Sequence, residues 1–528
     1  MKNLLLLLLL LCSVSVNAQT TQVYGSQSGT WDGEIHIIDD VMVPKGETLV
    51  INPGTSVIAD GYFEILVLGS LYAIGEDDSR ITFTVADTTG YSDYENAQAG
   101  AWRGIFCQKS DNVKLSYCDF SYGKTELNSD GGVMRIYNTN DVEISHCTFH
   151  HNTARRKGGA LFAENSVFDI HGCEVYDNFT TGFEGSYSWG TGYQFLKSDI
   201  HMHDMVFHDN FSNDGYGGGM NVDSCNLELN NAIFYNNSTV NAGGLGIQRC
   251  KEYTVKVSNM LAYNNSVIHY GGGLAMATSD PELNNLTIVN NYCGGGGGAG
   301  MQMAFDASPT LKNCIVWGNH AVYTIEKDTV EYYLGSQIWL WGSDCYPTFY
   351  NGVVQYGLDT INCYPPITDD RWVDMTKLDP LFVDETHRDY RLTPNSPCIN
   401  TGVEDTSGMF LPDTDLAGGP RIFQNRIDRG CYEWNNIGVN ENFVGNNDLL
   451  VYPNPLNDNA FCQINLTRKT NVVLRLISLD GKEVYHEECG TFEAGKHKIS
   501  LDGMMKNIEK GNKIYLLNID NQFVKVIY

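Results

Sequence analysis

Basic side chains are scarce in this chain: 34 Lys and Arg stand against 63 Asp and Glu, for a formal charge of −29 and a pI near 4.7. Such a balance makes nucleic acid and anionic membrane surfaces poor partners. Helix-length amphipathic runs are missing too, which turns attention to strands and turns. No HExxH spacing and no paired CxxC occurs, so the commonest zinc signatures are excluded. Beyond the N-terminus no apolar segment approaches the length of a membrane span.

What is present points to an all-β chain. Its 54 glycines, 11% aromatics and recurring Asn/Gly clusters suit many short strands joined by sharp turns. A length of 528 residues fits one extended repeat domain plus a smaller one. The charge is uneven, because residues 446–528 hold ten basic and ten acidic side chains and the net charge therefore lies wholly in the rest.

At the N-terminus Lys2 precedes an apolar run from Leu4 to Leu11, and Val16, Asn17 and Ala18 place small residues before a cut between Ala18 and Gln19. Residues 1–18 read as a secretory signal peptide, too short for a membrane anchor. Cys12 raises lipidation as an alternative, but Leu9, Leu10 and Leu11 lack the small residue expected before a lipidated cysteine.

Asparagines recur at 152, 178, 210, 237, 265, 291 and 319. Eight, five and three residues before each stand apolar side chains, as in Ile144, Cys147 and Phe149 or Leu229, Ala232 and Phe234. The step of two is an inward-facing strand, and the step of three before it is a corner. A second strand follows each anchor, opened by glycines and alternating, as in Leu161 with Ala163 and Leu245 with Ile247. Coils of this kind, stacked in register, form a parallel β-helix. An eighth rung fits upstream through Leu115, Cys118 and Phe120, with Gly123 replacing the asparagine.

The strings FHHN (Phe149–Asn152) and GGAL (Gly158–Leu161), with copies such as FHDN and GGGM, resemble the FxxN and GGA-type repeats of polymorphic outer-membrane proteins and related right-handed parallel β-helices. Residues 388–433 carry RDYRL, NSPCINTG, DTDLAGGPRI and RIDRGCYE, in that order, and resemble the choice-of-anchor module that closes many bacterial β-helices. Cys398 and Cys431 stand where that family generally has alanine, and the double replacement suggests either a Cys398–Cys431 disulfide or two buried thiols. After a polar linker at 436–447, the segments LLVYPNP, VVLRLISLDGKEVY, AGKHKISLDGM and KIYLLNIDNQFVKVIY form alternating strands joined by tight turns. Their order resembles the type A C-terminal sorting domain of the type IX secretion system of Bacteroidetes. That resemblance implies a small antiparallel Ig-like sandwich at 448–528 that engages the secretion machinery, with the β-helix at 19–435 released or attached to the outer face of the outer membrane.

Candidate chemistry is sparse. Asp177 and Asp209 precede their anchors on neighbouring rungs and could together bind calcium, yet the same column continues as Asn236, Asn264 and Asn290, as a solvated turn would. Histidines crowd residues 146–208, and His201 with His203 would share a strand face, which reads either as a metal site or as ordinary surface. Cys118, Cys147 and Cys173 form an interior column of thiols. Two insertions carry aromatics that could stack on sugar rings or pack onto the coil: Tyr187, Trp189 and Tyr193 in one, Trp339 and Trp341 in the other. Sequons at Asn178, Asn210, Asn237 and Asn285 read as turn asparagines. The expectation is an adhesin-like rod that binds polysaccharide or a surface protein; the competing expectation is a lyase or hydrolase acting on acidic polysaccharide.

Overall fold

A computed structural model of the chain describes residues 20–434 apart from 95, 127–128, 183–187, 326–327, 332–334, 364–365 and 425, and residues 449–527 apart from 453–459, 467–468, 479–482, 494, 507–513 and 520–521. The signal segment, the 436–447 linker and Tyr187 lie outside these. The chain forms two compact units, Met1–Trp434 and Asn435–Tyr528.

In the first unit every turn of the coil contributes strands to three parallel sheets. Sheet A stacks Asn112–Ser116 on Val142–Ser145 and Val167–His171, and runs on to Thr348–Tyr350. Sheet B stacks Cys118–Ser121, Thr148–His150 and Glu174–Tyr176, ending at Val353–Val354. Sheet C begins with the ends of Thr20–Ser26 and Glu34–Val43, passes through Gly104–Gln108 and Met134–Tyr137, and ends at Ile338–Trp341. All three extend upstream of residue 100, so the coil begins well before the legible repeats. The three sequence columns before each anchor are at most 4% exposed at every position from Ile144 to Val316. Each such aliphatic side chain contributes about 1.5–3 kcal/mol by leaving water.

The anchor asparagines form a continuous ladder. Each backbone N–H donates to the Oδ1 of the next anchor at 3.0–3.2 Å, and each Nδ2 donates to that same oxygen at 2.9–3.0 Å. Nδ2 also reaches a carbonyl one rung back, such as that of Phe120, Phe149 or Val175. The site needs a short side chain with both donors and an acceptor, which an aspartate cannot supply. Gly123 opens the ladder by donating its N–H to Asn152 Oδ1 at 2.9 Å, and Gln337 closes it by accepting from Asn319 Nδ2 at 2.8 Å. A glycine suffices at the first rung because that rung needs only the backbone donor. Asn178, Asn210 and Asn237 belong to this ladder and are buried, as is the corner residue Asn285.

Residues 382–434 pack on the outer face of sheet B, where Phe382, Tyr390, Cys398 and Cys431 cover Leu261, Val289, Ile315 and Val353. Arg421 is buried there with Glu433 and donates to Asn259 Oδ1 at 2.7 Å, tying the module to a rung. Cys398 and Cys431 share this cluster as free, buried thiols, the second of the two expected alternatives. Each has its own hydroxyl neighbour, Ser396 for Cys398 and Thr287 for Cys431, and burial pushes both thiols up to about 12.

The second unit has a three-stranded sheet, Leu449–Tyr452, Phe461–Leu466 and Gly495–Ser500, and a four-stranded one, Thr470–Ser478, Glu483–Phe492, Ile514–Ile519 and Gln522–Ile527. Both are antiparallel, and Cys462, Ile464, Val472, Leu474 and Leu517 from the two sheets share one core.

Candidate functional site

Alternation sends Ile105 and Cys107, Met134 and Ile136, and Leu161 and Ala163 of sheet C into the core. Their neighbours Phe106, Arg135 and Phe162 therefore form one outward row, continued by Gln194 and Asn221. Further on the row passes Gly246, Ala275 and Gln302 and finishes at Trp339. From Phe106 to Trp339 are eight rung steps, about 38 Å at ~4.8 Å each.

A second row flanks this floor. Each of its members precedes a residue of positive φ: Asp130 before Gly131 (73°), Lys157 before Gly158 (64°), Trp189 before Gly190 (59°), Tyr216 before Gly217 (83°) and Tyr270 before Gly271 (71°). Lys157, Trp189 and Tyr216 pair across successive rungs, so the row is as regular as the floor.

The two ends of this groove differ chemically. At the N-terminal end Phe106, Gln108, Ser129, Asp130, Arg135 and Tyr137 line a cavity of about 280 Å³. Arg135 is ion-paired with Glu64 and lies 4.8 Å from the centre of the Phe106 ring, while Glu64 also pairs with Arg103 at 3.2 Å. Burial raises the Asp130 carboxyl, against the opposing pull of Lys157 and Arg156. Burial likewise pushes the Tyr137 phenol up to about 12. Among the described residues, Asp130 Oδ1 and Arg135 Nε are buried without a hydrogen-bond partner. Unsatisfied groups of this kind cost about 1–3 kcal/mol each, and both atoms are open to a hydrogen-bonding partner.

The C-terminal end is aromatic. Tyr270 lies 6.4 Å from Trp339 and 5.8 Å from Trp341, centroid to centroid, and Trp341 is 46% exposed. Trp339 rests on a glycine run: a Cβ on Gly297 would stand 1.7 Å from its Cε3. Trp189 sits midway, 5.5 Å from Tyr216.

The aromatic candidates thus part company. Trp189, Trp339 and Trp341 all reach this one face, the last two as alternate outward residues of a regular strand and not on a loop. Tyr193 does not: it pairs with Leu161 and Met220 inside the coil, fully buried between Phe149 and Phe207. Gly190–Thr191–Gly192–Tyr193 is a relaxed copy of GGAL, which places Tyr193 in the core column. The cavity residues escaped notice, although Asp130–Gly131–Gly132–Val133–Met134 copies the same string one rung earlier and puts Asp130 in the position of Lys157 and Trp189.

Asp177 and Asp209 occupy the turn before the anchor with φ of 51° and 53°, and Asp209 pairs with His208 Nδ1 at 2.7 Å. His201 and His203 share an outer face, engaging Glu228 and Asp204 respectively. Among the described residues no group of three His, Cys, Asp or Glu side chains is placed to hold a metal ion. Cys118, Cys147 and Cys173 are free and buried, with the Cys147 N–H donating to Cys173 Sγ at 3.4 Å.

Coil, closing module and antiparallel C-terminal unit together define a secreted β-helix protein with a sorting domain. Residues 91–256 match the family model of the right handed beta helix region, and residues 450–527 match that of the secretion system C-terminal sorting domain. The chain is accordingly a right-handed β-helix protein exported by the type IX secretion system, then released or attached at the cell surface. No helix among the described residues is long and apolar enough to cross a membrane. No curated protein matches the chain. Among solved structures, the crystal structure of pectate lyase Pel9A is similar to it at 14% identity, covering 73% of this chain and 89% of that one with a TM-score of 0.29.

Proposed function

We propose that the exported protein is a non-catalytic polysaccharide-binding rod that lays a glycan chain along the outer groove of sheet C. Maturation removes residues 1–18 between Ala18 and Gln19, and the sorting domain delivers the rod to the outer face of the outer membrane. The observation that carries this reading is the convergence of Trp189, Trp339 and Trp341, from separate segments, on the face that also holds the under-satisfied cavity. Aromatic faces supply stacking area for pyranose rings, and polar groups at fixed rung spacing supply orientation.

Affinity electrophoresis of the mature chain through gels containing individual neutral and uronic-acid polysaccharides tests this reading. Retardation by at least one polymer is expected, and Trp189→Ala with Trp341→Ala should weaken it tenfold or more. Migration unaffected by every polymer would refute the binding reading, whereas unsaturated or shortened products would replace it with an enzymatic one.

A further inference from the structure

The outward row of sheet C is continuous in register, but its middle from Phe162 to Gln302 is buried, and its charged end is built differently from its aromatic end. The exposed Trp341 ring offers a stacking surface; a cavity of about 280 Å³ bounded by Phe106, Asp130, Arg135 and Tyr137 accepts something discrete. That volume lies at the small end of ligand sites and matches a single ring better than a chain segment. We infer that this cavity is a subsite for one neutral, polyhydroxylated sugar unit, a branch or chain end of the polymer held in the groove, an inference that rests on the groove reading above.

Three observations select a neutral sugar over a charged one. Arg135 is the cation that lines the cavity; it shares Glu64 with Arg103, and Asp40 lies 3.8 Å from Arg103, so the two guanidiniums face two carboxylates. A uronate or sulfated sugar would therefore meet a compensated guanidinium beside the carboxyl of Asp130, on a chain whose formal charge is −29. An aminated sugar fares no better, because Lys157 and Arg156 act on Asp130 from the other side. Neither sign of charge is favoured. What the cavity offers is a set of hydrogen-bonding groups of both kinds: the Asp130 carboxyl, the Gln108 amide, the Ser129 hydroxyl and the Tyr137 phenol. Phe106 supplies an apolar face. The buried Asp130 Oδ1 and Arg135 Nε are left without partners, and vicinal hydroxyls, which both donate and accept, are the ligand groups able to satisfy the two at once.

The subsite is tested by saturation-transfer NMR and calorimetric titration of the mature chain with methyl glycosides of glucose, galactose, mannose and xylose, alongside glucuronic acid and glucosamine. At least one neutral glycoside should bind, and more tightly than either charged sugar. Asp130→Asn and Phe106→Ala should each weaken it tenfold or more, with Asp130→Asn retaining shape and its fold verified by an unchanged melting curve. Preference for glucuronic acid or glucosamine, or polymer binding with no response to any neutral glycoside, would overturn the inference and leave the groove reading standing. Failure of both polymer and monosaccharides would overturn the two together.

Discussion

Sheets B and C both display aromatic rings on their outer faces, and they use them in opposite ways. On sheet B, His150, Tyr176, His208, Tyr235 and Tyr263 stack 4.7–5.1 Å apart with interplanar angles of 4–11°, and the closing module adds Tyr390 at the end. A ring sandwiched by its own neighbours has no face left to offer. On sheet C, Phe106 and Tyr137 meet edge-on at 78°, Tyr137 and Phe162 at 50°, and the Trp339 end is bedded on glycine. There the repeat spaces its rings with amides and small residues, cations lie over Phe106 and Phe162, and the exposed ring is Trp341 at the C-terminal end. The same one-residue-per-rung register makes a structural column in one sheet and a recognition surface in the other.

Removing the cover of sheet B is the most severe way to test this contrast. Arg421→Met leaves Glu433 buried without its cation and removes the bond to Asn259. Breaking a buried pair in this manner costs about 3–5 kcal/mol, which urea denaturation should register; a loss under ~1 kcal/mol would show that the module merely rests on the rungs. Next in size is Trp341→Ala on sheet C. Its half-exposed ring meets Tyr270 edge-on, so polymer affinity should fall about tenfold, ~1.4 kcal/mol, while stability falls by ~1 kcal/mol at most. A large stability loss with unchanged affinity would assign Trp341 to packing.

These contrasts were only partly legible in the sequence. The interior was readable because every rung repeats the same demand: Ile144, Cys147, Phe149 and Asn152 recur at fixed spacing since each contacts its counterpart one rung away. The N-terminal coils were harder to read, because strands such as Ser70–Ile74 join the sheets without an asparagine corner to mark the period. The outer faces were nearly silent. Outward residues obey no shared packing constraint, so Asp130, Arg135 and Tyr137 become a group only when register sets neighbouring rungs side by side. Tyr193 shows the reverse error, for an aromatic inside a long interval suggests a loop until its glycines are aligned with those of the other rungs.

Tyr193 also provides a sharper and smaller test. Its hydroxyl is buried without a hydrogen-bond partner among the described residues, and burial holds its phenol far above the usual range. Tyr193→Phe should therefore stabilise the coil by about 1 kcal/mol and leave polymer binding unaltered. A loss of affinity would return Tyr193 to the recognition surface.

The smallest effect is electrostatic and concerns the histidines of the closed faces. Burial works against protonation of His208, but hydrogen bonds to Glu174 and Asp209 outweigh it and raise its pKa above the ordinary 6.5. Burial lowers His171 and His150, and neighbouring imidazoles lower them further: His203 and His146 for the first, His151 for the second. The signs follow by linkage. His208 contributes stability that is fully present below pH 6.5 and is lost as pH rises through its elevated folded value. His171 and His150 contribute stability that is present above pH 6.5 and is lost as pH falls through their depressed values. NMR titration of the imidazole protons should therefore find His208 deprotonating last of the three, and Glu174→Gln should bring it down toward the others. An unchanged His208 pKa in that variant would mean that Asp209 alone holds the His208 proton and that Glu174 does not contribute.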